Sequence, residues 1–311
     1  MYTRSLPWIS SARSPDQRSR NLAASIKKDP AHLGISVILS TYNQPEWLER
    51  ALWAYAGQRG AAPFEVLVAD DGSAPDTAAR INSLRPQLPF VLRHLWQPDQ
   101  GFRKCLALNR AIAQARGDYL IFSDGDCLPR SDLVATHLAL RAPGRFLSGG
   151  YIKLPMSTSL ALTREQIERG RHGDYDWLLA HGLKPGRKAD RLRANRWRAR
   201  LMDAISPARA SWNGHNASAW RQDLLAVNGF DQRMQYGGED RELGERLVRL
   251  GIAGKRVRHR AIVVHLDQPR GYVEAEMIDA NRAIRRAAAK AAARWTDHGL
   301  SPSAHHRHRP V

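Results

Sequence analysis

Asp124 and Asp126 stand two residues apart at the exit of a short apolar run, Tyr119 to Phe122, with Gly125 between them. In extended chain, positions i and i+2 point the same way. Two carboxylates on one side repel unless a cation lies between them, and oxygen ligands suit a hard Mg²⁺ or Mn²⁺. A metal held in a loop after a strand is well placed to meet a diphosphate. A plainer arrangement also fits: one Asp caps a helix beginning near Ser131 and the other is solvated. Taken alone, Asp-x-Asp favours the plainer arrangement, so the elements around it must decide.

Those elements alternate. Ile35 to Asn43 is a near-continuous β-branched run of the kind that forms buried parallel strands, and Asn43, Pro45 and Glu46 open a helix running to about Gln58. Phe64 to Ala69 is a second strand, ending in Asp70-Asp71-Gly72-Ser73, with a helix from Pro75. Val91 to Trp96 is a weaker third strand. Gly101 to Ile112 reads as a helix, and Tyr119 to Phe122 is the fourth strand. Such alternation predicts a parallel sheet, whose ligands bind at the carboxyl ends of its strands. The polar ends Thr41-Tyr42-Asn43, Asp70-Asp71 and Asp124-Gly-Asp126 are therefore expected to converge on one crevice. Singly, each is better explained by a turn, a helix cap or a packed ring; three in one half-chain favour a common site.

Composition narrows the class. The apolar content is ample for a core, and the longest apolar run, near Ile35 to Leu39, is far shorter than the roughly 20 residues of a membrane span. Met1 to Arg20 has no apolar signal-peptide segment, so the expected setting is cytoplasmic. Cys105 and Cys127, the only cysteines, lack metal-ligand spacing and are expected as buried thiols. The formal charge of +18 calls for a polyanionic partner such as anionic lipid, acidic glycan or nucleic acid.

Taken together, Ser-Val-Ile-Leu-Ser-Thr-Tyr-Asn43, Val-Leu-Val-Ala-Asp-Asp-Gly-Ser73, Asn109-Arg-Ala-Ile112 and Gly117 to Asp126 resemble the nucleotide-sugar domain of family 2 glycosyltransferases. The resemblance implies a GT-A, Rossmann-like fold: a mixed, mainly parallel sheet flanked by helices. It places Tyr42 and Asn43 in the nucleotide pocket, Asp70 or Asp71 on the base or ribose, and Arg103 and Asn109 toward the nucleotide and diphosphate. Asp124 and Asp126 would hold the divalent cation, Mn²⁺ or Mg²⁺, for a nucleotide-sugar donor, by expectation a UDP-sugar.

The second half carries a further block: Ser211 to Trp220, then Leu225 to Asp231, then Tyr236-Gly-Gly-Glu-Asp240 leading into a helix that ends at Gly251. It looks like the carboxyl-side region of inverting galactosyl- and N-acetylhexosaminyltransferases. The likeness implies that Asp240 deprotonates the acceptor hydroxyl while Glu239 contacts the acceptor. A helix's first turn keeps a carboxylate ionised, as a base requires, but acids are also common there for no other reason. Trp212, His215 and Asn216 are acceptor-side candidates, with a structural role for Trp212 nearly as strong. His265, at the end of a late strand spanning Arg256 to His265, matches a further metal ligand of related transferases.

Five segments are expected: an N-terminal arm (1–32), the nucleotide-sugar half (33–150), a basic insertion of one or two helices (151–207), the acceptor half (208–272), and a basic amphipathic C-terminal helix with its tail (273–311). Gly144 to Leu154 is expected as one strand. The insertion's arginines, interleaved with Trp177 and Trp197, suit an anionic membrane surface about as well as a solvated face. The expected activity is metal-dependent, inverting transfer of a hexose or N-acetylhexosamine to a glycan or lipid-linked acceptor in surface polysaccharide synthesis. Nucleic acid ranks lower as a partner. The competing classes are a non-catalytic nucleotide- or RNA-binding protein on this fold and a sugar nucleotidyltransferase.

Overall fold

In the computed structural model, which describes residues 34–268 and 274–300, the apolar runs of the first half form the strands Ile35–Thr41 (β1), Glu65–Asp70 (β2), Val91–Trp96 (β3) and Tyr119–Asp124 (β4). The expected arm (1–32) and the tail from 301 lie outside the described residues. Helices Pro45–Ala56 (α1), Pro75–Leu84 (α2) and Lys104–Gln114 (α3) connect the strands. β1 pairs in parallel with both β2 and β4, and β2 with β3. Successive residues of these strands serve opposite faces. Val37, Leu39, Val66 and Ile121 pack with α1 and α2 on one side, while Ile38, Leu67, Leu120 and Phe122 pack with α3 on the other.

Further strands are Cys127–Pro129 (β5), Arg145–Ser148 (β6), Gly150–Lys153 (β7), Ala217–Trp220 (β8), Ala253–Arg256 (β9) and Ile262–His265 (β10). The large sheet runs β3-β2-β1-β4-β8-β6-β9, and a small one runs β5-β10-β7. Two expectations are corrected here. The single strand over 144–154 is β6 and β7, which belong to different sheets, and the late strand over 256–265 divides in the same way into β9 and β10. The chain changes sheets at Gly149, where an added Cβ would stand 2.2 Å from the Asn216 side chain. A side chain there would block the crossing.

The 151–207 segment holds more than the one or two helices expected. Met156–Ala161 (α5), Arg164–Glu168 (α6), Tyr175–Ala180 (α7) and Arg196–Ile205 (α8) follow Leu133–Leu140 (α4), with short 3₁₀ turns between. Gly170, with φ of 76°, and Gly182, with φ of 109°, sit at two of the breaks, in the left-handed region. Leu162, Ile167, Leu178 and Leu183 are buried in the main core, so much of this segment is structural. Arg221–Ala226 (α9), Glu239–Arg249 (α10) and Ala275–Lys290 (α11) complete the chain. The last is the expected basic helix, and among its residues only Asn281 is fully buried. No helix among the described residues is long and apolar enough to cross a membrane.

Candidate active site

The sheet register assembles the site. Ser40 of β1 lies opposite Asp124, and Thr41 opposite Asp70, so the carboxyl ends of β1, β2 and β4 finish side by side. They open into a cavity of about 610 Å³ whose wall includes Tyr42, Asp71, Asp124, Asp126, His265 and Asp240. His265 arrives from the small sheet, where it lies opposite Cys127, directly after Asp126. The Leu266 N–H donates to the Asp126 carbonyl at 2.9 Å and fixes that approach.

One ligand atom from each of Asp124, Asp126, Cys127 and His265 falls within 4.8 Å of the others. His265 Nδ1 is 2.7 Å from the Leu266 carbonyl oxygen, and Nε2 is 3.7 Å from Asp126 Oδ2. With Nδ1–H donating to that carbonyl, Nε2 keeps its lone pair for a cation. Burial pushes the Asp126 carboxyl up, with Asp124 adding to the shift and His265 opposing it. Ionising Asp126 where it stands thus favours a nearby cation, and the oxygen and imidazole donors of the cluster fit a divalent ion such as Mn²⁺. Burial also keeps the Cys127 thiol neutral, its pKa well above the ordinary value, which suits it poorly as a ligand for a hard ion.

Lys104 is the cation that sequence reasoning missed. Its Nζ donates to Asp124 Oδ1 at 2.8 Å, beside a second bond from Ser40 Oγ at 2.6 Å. Burial disfavours the Lys104 charge, but Asp124, Asp240 and Glu239 outweigh it and raise its pKa. Burial would likewise raise Asp124, yet Lys104 and Ser40 hold it well below the usual carboxylate range. The expected helix from Gly101 starts instead at Lys104, with Arg103 as its N-cap. That register turns Lys104 into the cavity and leaves Arg103 folded back on Gln100 and the Pro98 carbonyl. The sequence signal was the adjacent Arg-Lys pair, but the helix start decides between them.

The remaining donor-side candidates divide. Tyr42 and Asp71 line the cavity. Asp71 accepts from Gln97 Nε2 and the Arg103 N–H, both at 2.7 Å, and burial raises its pKa to about 6. Asn43, Asp70 and Asn109 are not on the cavity wall. Asn43, at φ 50°, accepts from the Ala74 N–H at 2.8 Å and ties β1 to the loop after β2. Asp70 accepts from the Ser73 N–H at 2.8 Å and pairs with His94 at 2.7 Å. Asn109 accepts from the Phe230 N–H and donates to the Phe230 carbonyl, both at 2.8 Å. These three are braces: Asp70 and Asn109 satisfy buried backbone groups, while Asn43 ties two loops together at the surface.

Across the cavity, Gly237 and Gly238 take φ of 103° and 99° and deliver the first turn of α10. Asp240 Oδ2 accepts from the Gly214 N–H at 2.8 Å, while Oδ1 is buried without a partner. The expected ionisation by the helix dipole is outweighed. Burial, with Glu239 and Asp124 nearby, raises the Asp240 carboxyl to about 7. Glu239 lines the cavity but turns one oxygen back onto the Gly237 N–H at 2.9 Å. Gln268 was also missed; its Nε2 donates to Asp126 Oδ2 at 2.5 Å.

Of the acceptor-side candidates, His215 lines the cavity, edge-on to Tyr151 at 4.5 Å, with burial lowering its pKa to about 4. Trp212 does not reach the cavity. It is 2% exposed and packs against Phe122 and Phe146, at 5.3 and 5.7 Å, in the core. Asn216 is wholly buried, bonded to His137 Nε2 and donating to the Gly150 and Ala261 carbonyls. Both corrections follow from β8, which the sequence pattern did not reveal and which carries this block into the sheet beside β4.

Residues 36–142 match the glycosyl transferase family 2 profile, and residues 207–268 match that described as the N-terminal domain of galactosyltransferase. Residues 36–142 are thus a glycosyl transferase family 2 domain. Among relatives of this chain, the hyaluronan synthase of Pasteurella multocida is 27% identical over 251 residues, 75% of this chain and 25% of that protein. The chain thus spans a quarter of that synthase's length. The mannosyltransferase PcManGT from Pyrobaculum calidifontis, solved with GDP-Man and Mn²⁺, superposes with a TM-score of 0.51 at 22% identity. That match covers 87% of this chain and 67% of the other. Residues 1–349 of S. aureus TarS, solved with UDP-GlcNAc, give 0.50 at 17% identity, covering 77% of this chain and 60% of the other. At these identities the structural likeness establishes the GT-A fold, and no more.

Proposed function

We propose that the chain is a metal-dependent, inverting transferase that moves a hexose or N-acetylhexosamine from a UDP-sugar to a hydroxyl of a glycan or lipid-linked acceptor. The observation that carries this reading is the pairing, across one cavity, of the Asp124, Asp126 and His265 cluster with the unpartnered Oδ1 of Asp240. Asp124, Asp126 and His265 would hold the divalent cation, which when bound offsets the charge building on the leaving diphosphate. The Lys104 ammonium, already among Asp124, Glu239 and Asp240, adds a second positive charge toward the same oxygens. Tyr42 and Asp71 mark the end of the cavity for base and ribose.

On the opposite wall, Asp240 Oδ1 accepts the acceptor's proton as its oxygen attacks the anomeric carbon. A pKa near 7 suits that task, because a base works best close to the ambient pH. Inversion is supported by the engagement of Glu239 with the Gly237 N–H, which leaves Asp240 alone with a buried unpartnered oxygen among these two acids. A role in polysaccharide assembly rests on the hyaluronan synthase relative, and a cytoplasmic setting on the sequence reading.

A thermal-shift panel of UDP-, GDP- and dTDP-sugars, with Mn²⁺ or with chelator, tests the donor side. At a hundred times the dissociation constant, binding stabilises the fold by about 2.7 kcal/mol. The UDP-sugars are expected to raise the melting point only with metal, and Asp126→Ala to abolish the shift. A folded protein that answers to none of the donors would refute the reading and favour a basic-surface binding protein.

A further inference from the structure

A second cavity, of about 880 Å³, is distinct from the one just described. It lies at the β9 edge of the sheet, lined by Arg145, Arg200, Lys255, Arg256 and Arg260, with Asp203 the only acid on its wall among the described residues. Asp203 is already committed: it accepts from the His259 N–H at 2.9 Å and from Arg260 Nε at 2.7 Å. Those bonds pin α8 to the loop after β9 through the helix's buried face, Ala199 and Asp203.

Opposite that face, Trp197, Leu201 and Ile205 are 80%, 58% and 63% exposed. At about 100° per residue, four-residue spacing puts the three in one stripe. Exposed Arg196, Arg198 and Arg200 flank it, and Arg200 also lines the basic cavity. We propose that α8 and this cavity form a docking surface for an anionic phospholipid bilayer, the stripe entering the acyl boundary while the cavity takes headgroup phosphates.

Three observations favour a bilayer over other partners. An amphipathic helix with a Trp-Leu-Ile stripe and arginine flanks binds in the plane of an anionic interface, by apolar burial and electrostatic attraction together. A second copy of the chain would bring like-charged arginines face to face. Single-stranded nucleic acid could stack on Trp197 but would leave Leu201 and Ile205 exposed to water. The surface stands apart from the residues of the donor cavity, so the proposal does not depend on the transferase reading.

Co-sedimentation of the full chain with vesicles tests it. The protein is expected to bind phosphatidylcholine vesicles containing phosphatidylglycerol and not phosphatidylcholine alone. Trp197→Ala combined with Leu201→Ser should weaken partitioning about tenfold or more. Arg198→Glu and Arg200→Glu should weaken it about fivefold for each positive charge removed. All four side chains are exposed, and circular-dichroism melting verifies folding; if the double variant fails to fold, Leu201→Lys alone should reproduce its loss. Undiminished binding by these variants would assign vesicle attraction to general charge and overturn the proposal. So would equal binding to both vesicle types, or no vesicle binding together with Trp197-dependent binding of single-stranded RNA.

Discussion

Asp240 is poised by its neighbours rather than by its helix. Burial and the adjacent acids keep its proton until about pH 7, so the deprotonated fraction falls tenfold for each unit below that value. The kcat/KM profile is therefore expected to show an acid limb near pH 7, and Asp240→Asn to lower kcat by about 10² to 10⁴ with donor affinity retained. A stability consequence has a definite sign. A carboxyl whose folded pKa exceeds its unfolded value destabilises the fold as pH rises through that interval. In chelator at pH 8, Asp240→Asn should accordingly melt higher than wild type; a lower melting point would show that the charge is stabilised where it stands. Trp212 makes the opposite kind of residue-scale case. Its ring is enclosed by Phe122 and Phe146, so Trp212→Ala is expected to cost about 3–5 kcal/mol in denaturant unfolding. Acceptor KM should stay unchanged in the surviving folded enzyme.

At the scale of elements, α11 holds the loop that presents the base. Asn281, 1% exposed, donates to the Gln235 and Gly237 carbonyls at 2.9 and 3.1 Å and accepts from the Gln235 N–H at 3.2 Å. Ile278 stands close against Gly237, and Arg285 pairs with Glu245 of α10 at 2.5 Å. The helix expected from its apolar periodicity thus packs mainly through a polar clamp. Because misplacing a catalytic group by about 1 Å can cost 10²-fold, Asn281→Leu is expected to lower kcat up to that extent. The metal-dependent thermal shift with donor should survive, since Asp124, Asp126 and His265 sit on other elements; loss of both together would show that α11 supports the whole cavity. The junctions at Gly149 and between β9 and β10 belong to the same scale. A short apolar stretch reads the same whether one sheet or two receive it, and only the partner strands distinguish them.

For the whole molecule, a formal charge of +18 opposes compaction. Screening by added salt should raise the melting point between low and physiological ionic strength, against the usual near-neutrality of salt for balanced proteins. A flat response would mean that the arginines are neutralised locally. Several are engaged within the chain, as Arg193 is over the Tyr175 ring at 4.9 Å, yet Arg196, Arg198 and Arg200 stand exposed. What the sequence alone determined was local and periodic: four strands, three of them with polar ends, the Asp124-Gly-Asp126 turn, and Gly237-Gly238 before an acidic helix start, since each is written in neighbouring residues. The tertiary structure decided what depends on register and on distant partners. It chose Lys104 over Arg103 by one helical position, and it buried Trp212 and Asn216 by adding β8 to the sheet. It brought His265 to Asp126 across 139 positions through one antiparallel pair, β5 with β10. Spacing along a chain fixes which side chains share a face, but which face meets the cavity depends on every element packed behind it.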